Sequence, residues 1–378
     1  MESEHKEKDE KSEDYYQSNK GFSYDYNSEV ADIDKELEEL LKKQSAKIKV
    51  VGIGGGGNNT LNRIHEIGVK GGEMIAMNTD AQDLLYTNAD KKVLLGRELT
   101  RGLGAGGNPK IGEEAALESE HEIKKKLNGA DMVFITCGLG GGSGSGGAPI
   151  VADIAKKQGS LVIGVVTMPF SLEGEKRVEN ATISLEKLES IVDTLIVIPN
   201  DKLLEIVPDL PLQTAFKVAD EILTNAVKGI AEMVTKAGLV NLDFADIKTI
   251  MTNGGVSLIG VGESNSESRA FEAVDRAINN PLLDVDINNA KGALVNIIGG
   301  NDLSLEESKI VMEEVGKHLG DDARMIWGAQ ISPDMEKTIR VTVIITGVRS
   351  PQILGSVIPR DELMEGELSN ELGIKFLK

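Results

Sequence analysis

Cysteine is almost absent: Cys137 stands alone in 378 residues. No internal disulfide can form, and that usage fits a reducing compartment. Aromatic residues make up 3% of the chain, so Val, Ile, Leu, Ala and Met must build the core. Positive charge is the scarcer sign, with 41 Lys and Arg against 61 Asp and Glu and a formal net charge of −20. Such a surface argues against binding nucleic acid or anionic membranes through its bulk, although an anion can still sit in a local nest of backbone N–H groups. No apolar run reaches about 18 residues, the length of a membrane span, and no secretory leader is recognisable. The four histidines, His5, His65, His121 and His318, lack metal-ligand spacing. The expectation is a soluble cytoplasmic protein with no nucleic-acid partner and no direct membrane insertion.

Glycine is abundant, at 42 residues. Residues 1–28 are polar and charged and are expected to be disordered. Residues 30–44 place Val30, Ile33, Leu37, Leu40 and Leu41 on one helical face, so the extension over 1–45 is expected to be mostly disordered with one short helix. From Lys47 the texture changes to apolar strands alternating with amphipathic segments. "KIKVVGI", "EMIAMN", "DMVFITC", "LVIGVVT" and "TLIVIP" read as strands. Helices are expected from about Asn58, from Pro109 to Leu127, and over "APIVADIAKKQ". Near-continuous Val/Ile strands alternating with helices imply a parallel sheet covered on both faces. Residues 212–236 are apolar almost all round, which predicts a central buried helix about 37 Å long. A second, smaller α/β unit follows, with four strands ("SLIGVGE", "GALVNIIG", "ARMIWGA", "TIRVTVIITG") and helices near 266–279 and 304–319. The pattern dissolves into a polar tail at about Arg349.

Three glycine-rich stretches lie between strands and helices. In "VVGIGGGGNNT", Gly52, Gly54 and Gly57 fit G-x-G-x-x-G, where backbone N–H groups at a helix start face an anion. The acidic residue expected at the end of the second strand of a dinucleotide-binding unit is imperfectly placed, since "EMIAMNTD" ends in Asn78 with Asp80 beyond. "CGLGGGSGSGGAP" (137–149) and "RGLGAGGNP" (101–109) add two more loops. All three should meet along one sheet edge and together enclose a polyphosphate. No G-x-x-x-x-G-K-S/T exists, which excludes a P-loop.

These motifs carry a family resemblance. "GGGSGSG" resembles the tubulin/FtsZ signature G-G-G-S/T-G-S/T-G. "GGGGNN", "NTD", "RGLGAGGNP", "VVTMPF", "IPND" and "NLDFAD" occur in FtsZ order with FtsZ-like spacing, over residues 47–348. "TRGLGAGGNPKIGEEAA" and "AFKVADEIL" resemble the archaeal type. The resemblance implies a tubulin/FtsZ-like α/β fold. A parallel Rossmann-like GTP-binding domain (46–211) would be joined by a central helix (212–237) to a C-terminal GTPase-activating and polymerisation domain (238–348). A tail follows over 349–378; it does not carry the D-I-P-x-F-L-R peptide of many bacterial members, so the membrane tether is left unidentified.

The resemblance further implies that GTP or GDP is bound, with Mg2+ whose protein ligands are left open. Gly55, Gly56, Gly57, Asn58 and Asn59 would line one side. Gly141, Gly142 and Ser143 would hold the β- and γ-phosphates. Glu173 and Arg177 match ribose and phosphate contacts, and by spacing alone they are a surface ion pair. Phe216 would stack on guanine, and Asn200 and Asp220 would bond its edge. In "GLVNLDFADIKTIM", Asp243 and Asp246 share a face at a helix start; without the family they are carboxylates stabilised by the helix dipole. With it, Asn241, Asp243 and Asp246 complete the site of the next subunit in a head-to-tail homopolymer, an assembly-dependent GTPase of the cytokinetic ring at mid-cell. The alternatives are a nicotinamide-dependent oxidoreductase, which leaves the second glycine loop unexplained, and a nucleotide-binding scaffold that scarcely hydrolyses. Cys137 and Trp327 are expected in the core.

Overall fold

The computed structural model describes residues 46–68, 72–202, 212–235, 243–280, 290–320 and 323–348. The expectations for the N-terminal extension, the C-terminal tail and Asn241 therefore lie outside the described residues.

The Val/Ile-rich runs form the strands. β1 (Ile48–Ile53) is buried along its whole length. β2 (Gly72–Asn78), β3 (Lys91–Leu94), β4 (Met132–Gly138), β5 (Leu161–Met168) and β6 (Thr194–Pro199) join it in the order β3-β2-β1-β4-β5-β6, all parallel. This is the doubly wound order of a dinucleotide-binding domain, in which the strand sequence reverses between β1 and β4. The short edge strand β3 was not legible in the sequence. It has four residues and begins with Lys91 and Lys92, the charged composition typical of a sheet edge.

The expected four strands of the second unit are present and extend the same sheet. β7 (Gly255–Ser264) pairs with β6 in parallel from Thr194↔Gly255 to Ile196↔Ser257. β10 (Ile339–Thr346) lies antiparallel between β7 and β8 (Gly292–Gly299), and β9 (Arg324–Ile331) closes the edge parallel to β8.

Helices cover both faces. α1 (Gly54–Ile67), α2 (Ala81–Tyr86), α8 (Leu212–Thr235) and α9 (Phe244–Met251) bury Leu61, Ile64, Leu84, Leu223, Val227, Ile247 and Met251 in one core layer. The four-residue α3 (Arg97–Thr100) precedes α4 (Pro109–Glu118) and α5 (Glu120–Leu127). These two, with α6 (Ser143–Lys157), α7 (Glu175–Ile191), α10 (Arg269–Ile278) and α11 (Leu305–Lys317), build the other layer. α8 is the long helix expected after residue 212, and its 24 residues span about 36 Å. Cys137 is fully buried, and burial pushes its thiol up to about 12. Trp327 is half-buried and packs against the core.

Two helix expectations need correction. The run from Pro109 to Leu127 is broken at Ser119, where α4 ends and α5 begins; the Ser119 hydroxyl accepts the Gly96 N–H at 2.9 Å. α1 starts at Gly54 rather than near Asn58, and α6 starts at Ser143, five residues before "APIV". Both glycine stretches thus run into the first turn of a helix. Glycine's low helix propensity hides such a start from pattern reading.

Candidate functional site

A cavity of about 340 Å³ opens at the carboxyl ends of β1 and β4, where the strand order reverses. α1 and α6 both point their N-termini at it. The first four N–H groups of a helix have no intrahelical partner. Neither helix has a side-chain cap or an acidic residue in its first turn. Two uncapped helix ends with the positive ends of their dipoles converging on one cavity make a site for a polyanion.

The structure gathers most of the expected residues here. Gly55, Gly56 and Asn59 line one wall, and Gly141, Gly142 and Ser143 the other. Gly57 and Asn58 do not line the cavity; they lie buried beneath it. A Cβ on Gly57 would sit 2.4 Å from the Thr136 carbonyl oxygen, so this glycine lets α1 approach β4. Asn58 Nδ2 donates to Asp83 Oδ2 at 2.8 Å, and Asn78 Nδ2 donates to the same oxygen at 2.6 Å. These bonds hold the start of α1 against the end of β2. Asp80 caps α2, accepting the N–H groups of Gln82 and Asp83. It is not among the lining residues, and its capping role removes the acidic residue a dinucleotide would use.

The third glycine stretch does not line this cavity. It packs behind it: a Cβ on Gly142 would meet Ala105 Cβ at 2.7 Å and the Asn108 nitrogen at 3.0 Å. The glycine content of residues 137–149 therefore has two causes. Gly141 has open space where a Cβ would be, whereas Gly146 lets α6 press on α4, with the Pro109 carbonyl oxygen 2.0 Å from its absent Cβ.

Glu173, Arg177, Asn200, Phe216 and Asp220 belong to the lining of the cavity. Glu173 accepts the Phe170 N–H at 2.9 Å and forms an ion pair with Arg177, so the pair expected from spacing exists and lines the cavity as well. Asp201 accepts the Ser171 N–H at 2.9 Å and the Ser171 hydroxyl, which pins the loop carrying Glu173. Phe216 is 38% exposed and meets the buried Phe170 edge to face, with centroids 5.1 Å apart at 85°. Asn200 is 4% exposed, and its Oδ1 has no protein partner. Asp220, one helical turn from Phe216, has its carboxyl pushed up to about 6 by burial, an effect that the Arg63 charge only partly offsets. An aromatic ring, an amide oxygen without a protein partner and a desolvated carboxyl lining one cavity suit a base that offers N–H donors.

Gly54, expected from the G-x-G-x-x-G fit, lines the cavity as well. So do Ile53, Gly138, Leu139, Gly144, Thr167, Pro169 and Ala219, which carried no individual expectation. Their signals were present: Ile53, Gly138, Leu139 and Gly144 lie in or beside the two glycine stretches, Thr167 and Pro169 lie in "VVTMPF", and Ala219 shares a helix face with Phe216.

Asp243 and Asp246 stand elsewhere. Asp243 occupies the N-cap of α9, yet its side chain makes no capping hydrogen bond. Asp246 lies in the first turn, and both residues are exposed. α9 is tied to the amino end of β6, where Thr194 Oγ1 donates to the Met251 carbonyl at 2.5 Å. Asn200 follows the carboxyl end of the same strand. β6 spans about 17 Å. α8, which carries Phe216 and Asp220 at the cavity, runs about 22 Å further to Thr235 before the chain reaches Asp243. The two carboxylates therefore belong to the end of the sheet away from the cavity. Among the described residues, no group of three His, Cys, Asp or Glu could hold a metal, and no helix is long and apolar enough to cross a membrane.

Fold and cavity define an α/β protein of the nucleotide-binding class whose cavity is walled by two helix starts rather than by a P-loop. Residues 47–208 match the tubulin/FtsZ family GTPase domain, and residues 255–349 match the FtsZ family C-terminal domain. The chain belongs to the FtsZ branch of the tubulin/FtsZ family of GTPases. It is 60% identical over 321 residues to cell division protein FtsZ 1 of Thermococcus kodakarensis, covering 85% of this chain and 86% of that one. It is 58% identical over 326 residues to cell division protein FtsZ of Methanothermobacter thermautotrophicus, covering 86% of each. A solved structure of an empty FtsZ dimer from M. jannaschii superposes with a TM-score of 0.80 at 58% identity, covering 83% of this chain and 92% of that one.

Proposed function

We propose that this GTPase hydrolyses GTP at sites shared between successive subunits of a head-to-tail filament, and that the filament serves cell division. The observation that carries the reading is the separation of the nucleotide cavity from Asp243 and Asp246 at opposite ends of one sheet. A subunit's own carboxylates are too distant to act on its own nucleotide. In a heterologous contact, one end of each subunit meets the other end of the next, and such contacts propagate into filaments.

The division of labour then follows the chain. Residues 46–211 hold the nucleotide, 212–237 form the central helix, and 238–348 supply the catalytic carboxylates and the polymerisation surface. Gly55, Gly56, Gly141, Gly142 and Ser143 receive the phosphates through backbone N–H groups, and Asn59 stands beside them. Glu173 and Arg177 position the ribose and phosphates. Phe216 stacks on guanine, while Asn200 and Asp220 bond its edge. A carboxylate takes up guanine N1–H and N2–H together, which adenine does not offer. Gly57 and Asn58 act beneath the site, by packing and by holding α1. Asp243 and Asp246 of the neighbour, with Asn241, orient and polarise the water that attacks the γ-phosphate, giving GDP and inorganic phosphate. Such chemistry needs positioning and charge stabilisation more than covalent help.

The chemistry of the donors fits Mg2+ only in a particular way. Ser143 and Thr79 offer hydroxyls, which bond one another at 2.6 Å, and among the described residues no cluster of three carboxylates could hold a metal. Mg2+ keeps water and phosphate oxygens as ligands readily, and when bound it would neutralise phosphate charge. The proposal places the protein in the cytoplasm at the mid-cell division site, self-associated and held there by division and tether proteins. The deciding measurement is GTP turnover per subunit against protein concentration, with sedimentation in parallel. Turnover should rise where filaments form. Constant turnover per subunit down to concentrations where nothing sediments would overturn the shared site.

A further inference from the structure

A second cavity, of about 400 Å³, lies between α4, α6 and α7. It shares no lining residue with the nucleotide cavity and is of comparable size. Its polar floor is buried: Ser145, Asn180 and Ser184 are each at most 9% exposed. Its rim carries Lys110, Lys176 and Lys187 against a single carboxylate, Glu113. Glu113 is spoken for by Lys187 at 2.9 Å, and Lys176 reaches Glu179 at 2.8 Å. Lys110 forms no ion pair with another described residue. On a chain of net charge −20, a lining of three lysines against one carboxylate is locally net positive. Pro109, Ile183 and the lysine stems supply the apolar remainder of the wall.

We propose that this cavity binds a small organic anion, an apolar body with a phosphate or carboxylate head, and that its occupancy is coupled to the nucleotide cavity. The size favours a small molecule over a peptide segment, since it falls in the range of ordinary ligand pockets. The lysines select the charge; the Ser145 hydroxyl, which accepts the Gly140 N–H and keeps its own hydrogen, and the Asn180 amide give the head group donors. Coupling has a physical route, because the two cavities share a wall. Gly142, Ser143 and Gly144 face the nucleotide, and Ser145 and Gly146 face the second cavity. Ser145 Oγ accepts the Gly140 N–H at 2.8 Å, and Ser184 Oγ donates to the Ser145 carbonyl at 2.7 Å. Asn108, which lines the second cavity, packs on Gly142. A ligand pressing on Ser145 or Asn108 moves the N–H groups that face phosphate. The nucleotide must then alter the anion's affinity by the same factor. The site stands without the nucleotide assignment; only the coupling rests on it.

Phenyl phosphate is the probe, titrated calorimetrically into protein saturated with GDP so that the first cavity is filled. One saturable site per chain is expected. The double variant Lys110→Gln/Lys176→Gln, altered only at exposed positions, should bind it at least about tenfold more weakly, as for the loss of charged hydrogen-bond donors. Without phenyl phosphate its GDP affinity should equal the parent's. In the parent, saturating phenyl phosphate should shift the GDP dissociation constant at least about threefold, a shift the variant loses. No saturable binding to the GDP-loaded parent, or equal binding to the variant, overturns the site. An unchanged GDP dissociation constant overturns the coupling. Failure of GDP itself to bind, with phenyl phosphate still binding one site, would count against the nucleotide reading alone.

Discussion

Asp220 is held in a state unlike that of a free aspartate. Burial pushes its carboxyl up from 3.8 to about 6. A raised acid favours the folded state when protonated, so its contribution is fully present below pH 4 and is lost as pH rises through about 6. At pH 7.5 the empty protein therefore carries a desolvated carboxylate, a cost that guanine N–H donors would offset. Asp220→Asn should raise the melting temperature of nucleotide-free protein at pH 7.5, through a gain on the order of 1–3 kcal/mol, and the gain should vanish by pH 4. The same change should weaken GDP binding at least about 30-fold, the loss of a charged hydrogen-bond pair. The parent's GDP affinity should itself decline below pH 6; a flat affinity from pH 8 to 5 would remove Asp220 from the base contacts. Gly141 and Gly142 separate ligand contact from packing. Gly141→Val projects into open space beside the cavity, so GDP affinity should fall at least about a hundredfold with the melting temperature nearly unchanged. Gly142→Val drives a side chain into Ala105 and Asn108. Its melting temperature should drop by several degrees, since about 1 kcal/mol moves a domain of this size by 2–4 °C. Equal melting temperatures for the two variants would contradict this assignment.

Among the elements, α6 shows how a helix full of poor helix formers is held. It contains Pro149 in its interior. Proline has no N–H, so the Ser145 carbonyl four residues earlier loses its intrahelical donor. Ser184 on α7 supplies the missing bond. Ser184→Ala should cost about 1–3 kcal/mol, the penalty for a buried acceptor left unpaired, as measured by chemical denaturation. An unaltered midpoint would mean that the carbonyl finds another donor. Because the first turn of α6 lines the cavity, loosening it should also weaken GDP binding. α9 presents the opposite case. Its N-cap Asp243 makes no capping hydrogen bond, so of the ordinary reasons for an acidic residue there only the helix dipole remains.

For the whole molecule, the test is complementation between two defective subunits. Asp246→Ala keeps a sound nucleotide cavity, and Gly141→Val keeps a sound acidic end. Asp246→Ala should bind GDP as the parent does, assemble, and turn over GTP at least about a hundredfold more slowly, the usual contribution of a positioned general base. Mixed with Gly141→Val it should recover part of the parental rate, because each mixed interface joins a sound cavity to a sound carboxylate pair. Parental turnover by Asp246→Ala alone would place the whole site in one subunit.

The sequence by itself determined the alternation of strands and helices, the long central helix, the four strands of the second unit and the two glycine stretches that line the cavity. Those features are written in local periodicity and in glycine, which report strand faces, helix faces and bare backbone directly. It left the edge strand β3 unread, because four residues with two lysines carry no period. It misplaced the starts of α1 and α6, because their first turns are glycine and local propensity opposes the helix that anions and packing favour. Only the tertiary structure decided which glycines face the cavity and which permit packing, since Gly141, Gly142 and Gly146 are indistinguishable in sequence and differ in what surrounds the missing Cβ. Only it sank Gly57 and Asn58 beneath the site, turned the third glycine stretch into a support for the second, and raised the Asp220 carboxyl by burial. The placement of Asp243 and Asp246 at the far end of β6 is likewise a fact of the sheet: separation in space follows from strand direction and pairing, which residue spacing along the chain does not contain.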